Sequence, residues 1–192
     1  MKTVGEFLTY ALIAVFAQNL VFTGAGPFGM VKHCLLKPKD IIGMSAYVSV
    51  FSLLASLTVL PFDYLAPLWS SPLMIRAALL IAAVVIWYLI FSAIVPHIQR
   101  LRESADMLPS AALNGAVMVM PLLLDLRAVS DPVRVCGLAV GSGIGFGAAV
   151  WLLSCGMRRA DNPDMPESFR GTPILLIYVG LLSLAFSAFG GI

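Results

Sequence analysis

The chain has 192 residues, of which 60% are hydrophobic and only 11% charged, and its mean hydropathy is +0.96. Soluble domains carry about 25% charged residues, so the composition excludes a soluble globular domain. A net charge of +2 gives no sign of a nucleic-acid partner, and the three scattered cysteines have neither the spacing of a zinc site nor that of a disulfide framework.

Six apolar segments approach the roughly 20 residues that a bilayer-spanning helix needs. They fall at about Phe7–Phe28, Ile41–Leu60, Met74–Val95, Leu108–Leu124, Val135–Cys155 and Thr172–Phe189. The chain therefore reads as one polytopic membrane domain over residues 1–192, all-α, with short connections. The start, Met1–Ala25, could pass for a signal peptide. Glu6 interrupts its basic region and further spans follow, so it reads as a retained helix.

The first span is interrupted at Gln18–Gly29. Gln18 and Asn19 place two amides where hydrocarbon is expected, and Gly24, Gly26 and Pro27 oppose a continuous helix. Irregular backbone at membrane depth survives only where protein or a water-filled cavity covers it. The second span carries Ser45, Ser49, Ser52 and Ser56 at helical spacing, which reads as packing or interhelical hydrogen bonding rather than a pore lining. Pro61 bounds this span and Pro96 bounds the third.

The short fourth span repeats the interruption of the first, with Asn114, Gly115 and Pro121 inside Leu113–Pro121. Either break alone could be a kink or a tight helix contact. Matched breaks in two halves point to a functional centre near the bilayer midplane. With three spans per half, the second half enters from the opposite side, so the repeat is inverted.

The fifth span holds Gly137, Gly141, Gly143, Gly145 and Gly147. No strand precedes them and no basic residue closes the run, which argues against a phosphate loop. Spacing of four at 137, 141 and 145 instead gives a smooth face for close helix packing.

Charge sorts the loops. Lys32, Lys37, Lys39, Arg100, Arg102, Arg158, Arg159 and Arg170 fall on one side, and Lys2, Arg76, Arg127 and Arg134 on the other. The positive-inside rule then places both termini outside. Asp63, Asp125 and Asp131 lie on that outer side, while the spans carry no charge near the midplane. His33 and His97 sit in loops beside basic residues and read as solvated surface. Cys34, Cys136 and Cys155 read as small buried or lipid-facing residues, and no acid, base or nucleophile constellation is visible.

Three stretches carry a resemblance: Asn19–Gly29, Leu113-Asn-Gly-Ala-Val117, and the tail Pro166-Glu-Ser-Phe-Arg-Gly171 with Leu181–Gly190. Together they resemble the Rnf/Nqr family of six-helix integral membrane subunits over nearly the whole length. The outside termini fit its RnfA/NqrE branch. The resemblance implies a component of an ion-translocating electron-transport complex in a bacterial or archaeal cytoplasmic (inner) membrane. Its implied partners are a homologous six-helix subunit of opposite orientation and the other membrane subunits of a redox complex.

In that family two cysteines from each of two paired subunits hold one two-iron, two-sulfur cluster. At the matching positions this chain has Gly26 and Gly115, which offer no side chain to iron. The chain alone is thus expected to bind no metal or cofactor, as a member of such a complex or as a cluster-free relative. Two other classes remain open at this point: a vitamin-type small-molecule transport component, whose substrate cavity the broken helices would line, and a purely structural scaffold.

Overall fold

The computed structural model describes residues 2–16, 19–23, 34, 39–63, 71–98, 102–114, 117, 122, 131–160 and 166–190. Among these every regular element is helical. In chain order they are α1 (Lys2–Phe16), α2 (Leu20–Thr23), α3 (Asp40–Asp63), α4 (Pro72–Ile94), α5 (Leu108–Ala112), α6 (Pro132–Ala160) and α7 (Thr172–Gly190). Short 3-10 turns at Val95–His97 and Arg102–Met107 link α4 to α5, and another at Glu167–Phe169 leads into α7.

Among the described residues three helices are long and apolar enough to cross a membrane, at Asp40–Phe62, Leu73–His97 and Pro132–Arg158, with shorter apolar helices at Thr3–Phe16 and Thr172–Ala188. The chain is a multi-pass membrane protein. Two boundaries differ from the sequence expectation. Pro61 does not end its helix, because α3 continues through it to Asp63. Arg76, expected among the outer-side loop charges, lies in the second turn of α4 and is buried at 2% exposure.

The arrangement is built around α6, which packs along both α1 and α3. Three successive turns of α6 meet three of α1. A methyl placed at Gly137 would come 2.7 Å from the Phe7 carbonyl oxygen, and one at Gly141 2.5 Å from that of Ala11; one at Gly145 would lie 3.1 Å from the Val15 Cα. Rising numbers pair with rising numbers, so α1 and α6 run parallel. Since apolar burial drives little in lipid, such backbone-to-backbone approach is a main source of helix adhesion.

The other side of α6 faces the serines of α3. Ser45 Oγ donates to the Gly143 carbonyl (2.6 Å), Ser49 Oγ reaches that of Val140 (3.5 Å), and the Ser142 and Ser52 hydroxyls lie 3.4 Å apart. Gly147 meets Ser45 and Gly143 meets Ser49, rising numbers against falling ones, so α3 and α6 are antiparallel. The pairs Thr58–Trp87 and Phe51–Phe91 make α3 and α4 antiparallel as well. Ser45, Ser49 and Ser52 therefore make interhelical contacts, one of the readings their spacing allowed, while Ser56 bonds the Ser52 carbonyl of its own helix; both faces of the glycine-rich helix are used.

Around this centre, α5 packs on α3 and α4, while α7 packs on α2 and α6. Phe22 stacks on Phe186 with centroids 4.6 Å apart, and Ser183 Oγ donates to the Phe22 carbonyl. Gly171, the glycine of the Phe-Arg-Gly tail, takes φ +82° at the turn into α7, a conformation that side chains disfavour.

Candidate functional site

The midplane centre read from sequence comprises Gln18, Asn19, Gly24, Gly26, Pro27, Asn114, Gly115 and Pro121. Asn19 and Asn114 are described, and the other six lie outside the described residues. Both asparagines are buried, at 3% and 0% exposure.

Asn19 sits between α1 and α2. Its Nδ2 donates to the Val15 carbonyl at the end of α1 (3.0 Å) and to the Gly145 carbonyl of α6 (3.0 Å). Its Oδ1 accepts from the Val21 amide at the start of α2 (3.2 Å). Helix ends leave backbone donors and acceptors unsatisfied, and hydrocarbon supplies no partner for them. An asparagine amide, with two donors and an acceptor, serves the acceptor end of one helix and the donor end of the next. The third bond ties the break to the helix on which α1 packs.

Asn114 follows α5 in the second half. The Leu113 and Asn114 amides turn back onto the Pro109 and Ala111 carbonyls (3.1 and 3.2 Å), and the Asn114 carbonyl accepts from the Val117 amide (2.9 Å). The Asn19 carbonyl accepts from the amide three residues on in the same way, from Phe22 (3.0 Å). Each half thus carries a buried asparagine whose carbonyl opens the next helical turn.

Cys34 is fully buried in the main core, in keeping with its reading as a small buried residue. Its burial, aided by the Asp40 carboxylate, pushes its thiol up to about 11. Cys136 and Cys155 lie on α6, about 28 Å apart by its rise, too far to share one small cluster. Among the described residues no group of three or more His, Cys, Asp or Glu could hold a metal ion. His97 is exposed, with Nδ1 2.9 Å from the Ala93 carbonyl, in keeping with its surface reading.

Sequence reasoning missed a polar group at the far end of the same helix pair, where Glu6, Tyr10 and Arg134 line one cavity. The signal was the placement of one charge near the start of each of two apolar spans. It could be read only once α1 and α6 were known to be parallel neighbours.

No protein-family model matches the chain. It is 30% identical over 194 residues to the RnfA protein of the ion-translocating oxidoreductase complex of Hahella chejuensis, covering 97% of each chain. It is 31% identical to the protein of the same name from Colwellia psychrerythraea, again over 97% of each. The relative of that name from Shewanella amazonensis is also 31% identical, over 97% of this chain and 98% of its own length.

Proposed function

The chain belongs to the Rnf/Nqr family, alongside the RnfA proteins of ion-translocating oxidoreductase complexes, and from that premise we propose that it is an integral membrane component of a Rnf-type complex in the bacterial inner membrane. The observation that carries this reading is similarity along 97% of both chains, not confined to one motif. The apolar helices agree with it. The test is affinity purification of the chain from native membranes under mild detergent. Accompanying flavoprotein and iron–sulfur subunits are the expected result; an accompanying ATPase module would replace this reading with a transport one.

Within that complex the chain acts as a single domain of two inverted three-helix halves, with both termini outside. The packing supports this reading. Exchanging α1 for α5, α3 for α6 and α4 for α7 turns the α1–α6 contact into α5–α3 and the α3–α4 contact into α6–α7. With α2 taken as part of the first span, the α2–α7 contact becomes α5–α4, and α3–α6 maps onto itself. The matched asparagine turns at Asn19 and Asn114 point the same way.

The chain pairs with a homologous six-helix subunit, which would cover the broken first and fourth spans that lipid cannot satisfy. It supplies no ligands to an iron–sulfur cluster, because Gly26 and Gly115 stand at the family's ligand positions, and Cys136 and Cys155, near opposite ends of α6, are too far apart to share one. Iron and sulfide analysis with electron paramagnetic resonance on the anaerobically purified complex tests this. A cluster signal that disappears when Cys34, Cys136 or Cys155 is changed to serine would overturn it.

A further inference from the structure

Because α1 and α6 run parallel, their N-terminal turns lie side by side at one membrane face. Between them is a cavity of about 440 Å³ walled by Glu6, Thr9, Tyr10, Ile13 and Arg134. Arg134 is held in place from two directions. Its guanidinium lies over the Tyr10 ring, 5.4 Å from the centroid, and its Nε is 3.6 Å from Asp131 Oδ2. Asp131 is itself fixed, since Oδ1 accepts from the Val133 amide (3.1 Å) and caps α6. Glu6 brings a carboxylate to the same cavity from α1. Toward the bilayer, α1 exposes Leu8, Leu12 and Phe16, four residues apart, as an apolar ridge.

The geometry points to a binding site for the headgroup of phosphatidylethanolamine, with its phosphate on Arg134, its ammonium on Glu6 and an acyl chain along Leu8, Leu12 and Phe16. A fixed guanidinium matches phosphate oxygens. The Glu6 carboxylate, which lines the same cavity, accepts from a primary ammonium. An anionic headgroup fits less well, because Glu6 and Asp131 together outweigh the one arginine at the site. A choline headgroup also fits less well. Its quaternary nitrogen has no N–H for Glu6, and the Tyr10 face that would attract it already lies beneath Arg134. With the termini outside, the site faces the outer leaflet. The assignment stands on this cavity alone and does not depend on the electron-transport reading.

The test uses the full chain purified with the subunits that accompany it, stripped of lipid and offered equal amounts of phosphatidylethanolamine, phosphatidylcholine and phosphatidylglycerol. Retained lipid is counted by native mass spectrometry. The wild type is expected to favour phosphatidylethanolamine. Glu6→Gln and Arg134→Gln should each lower its retention about tenfold, the loss of one charge-assisted hydrogen bond. Glu6→Gln should also move the preference toward phosphatidylglycerol, a swap that mere misfolding would not produce. Equal retention of the three lipids by the wild type, or unchanged selectivity in Glu6→Gln, would refute the site. Soluble phosphoethanolamine should stabilise the complex less than the lipid does; an equal effect would assign the cavity to a soluble zwitterion and overturn the lipid.

Discussion

At the scale of single residues, Asn19 has the clearest consequence. Its side chain makes three hydrogen bonds, to Val15, Val21 and Gly145, and leucine would leave all three backbone groups without that partner. At about 0.6 to 1.7 kcal/mol per bond in a membrane protein, Asn19→Leu should cost about 2 to 5 kcal/mol. Denaturation of the detergent-solubilised protein would measure it, and a loss below about 0.5 kcal/mol would contradict the role of Asn19 in joining α1, α2 and α6. Cys34 makes a prediction about pH. Its thiol ordinarily ionises near 9.0 and in the folded chain near 11. Between those values the unfolded chain has lost a proton that the folded chain keeps, so stability falls as pH rises through that window. Cys34→Ala should remove this component of the decline, as read by melting temperature from pH 8 to 11. Thiol alkylation at pH 9 should likewise be slow until the protein is unfolded.

At the scale of elements, the helix pairs explain what could be read in advance and what could not. The 137, 141, 145 spacing announced a packing face, since periodicity is a property of one segment. It could not name α1 as the neighbour, because nothing local encodes a contact across 126 residues such as Asn19 to Gly145. The break at Asn19 was legible for the same local reason, an amide inside an apolar run. The second glycine face escaped notice because Gly143 and Gly147 acquire meaning only opposite Ser45 and Ser49. Arg76 shows the converse limit, since a charge at the edge of an apolar run reads as solvated until the fold buries it. A substitution pair tests the packing. Gly141→Leu should separate α1 from α6 and cost at least 1 to 3 kcal/mol, roughly the usual penalty of overpacking. Gly180→Ala meets nothing within 4 Å and should be neutral or stabilising by up to about 1 kcal/mol through helix propensity. Comparable losses in both would sink the argument from close approach.

At the scale of the whole molecule, helix direction and membrane sidedness come from different physics. Packing makes α1 parallel to α6 and α3 antiparallel to both α6 and α4, as an alternating path through six spans requires. Packing leaves the sidedness open, and the proposed outer face rests on the loop charges. Ser71 and Ser168 are both exposed, before α4 and before α7. With the native cysteines replaced, Ser71→Cys should react with an impermeant maleimide from outside the cell, while Ser168→Cys should react only after the membrane is opened. Labelling of both from the same face would reject the orientation.

The parallel pairing of α1 with α6 also sets a schedule for biosynthesis. Asn19 leaves the ribosome 126 residues before the Gly145 carbonyl that it will bind. At about 5 to 20 residues per second, the wait is roughly 6 to 25 s. Throughout that time α1 is in the membrane with a polar break and a face shaped for a helix not yet made. Insertion machinery must shelter it, or early copies must be cleared. A chain truncated after α4 should therefore be short-lived, and coexpressing the segment from residue 131 onward should lengthen its lifetime in a pulse–chase experiment. The last long helix to be made is the one that lets the first helix settle.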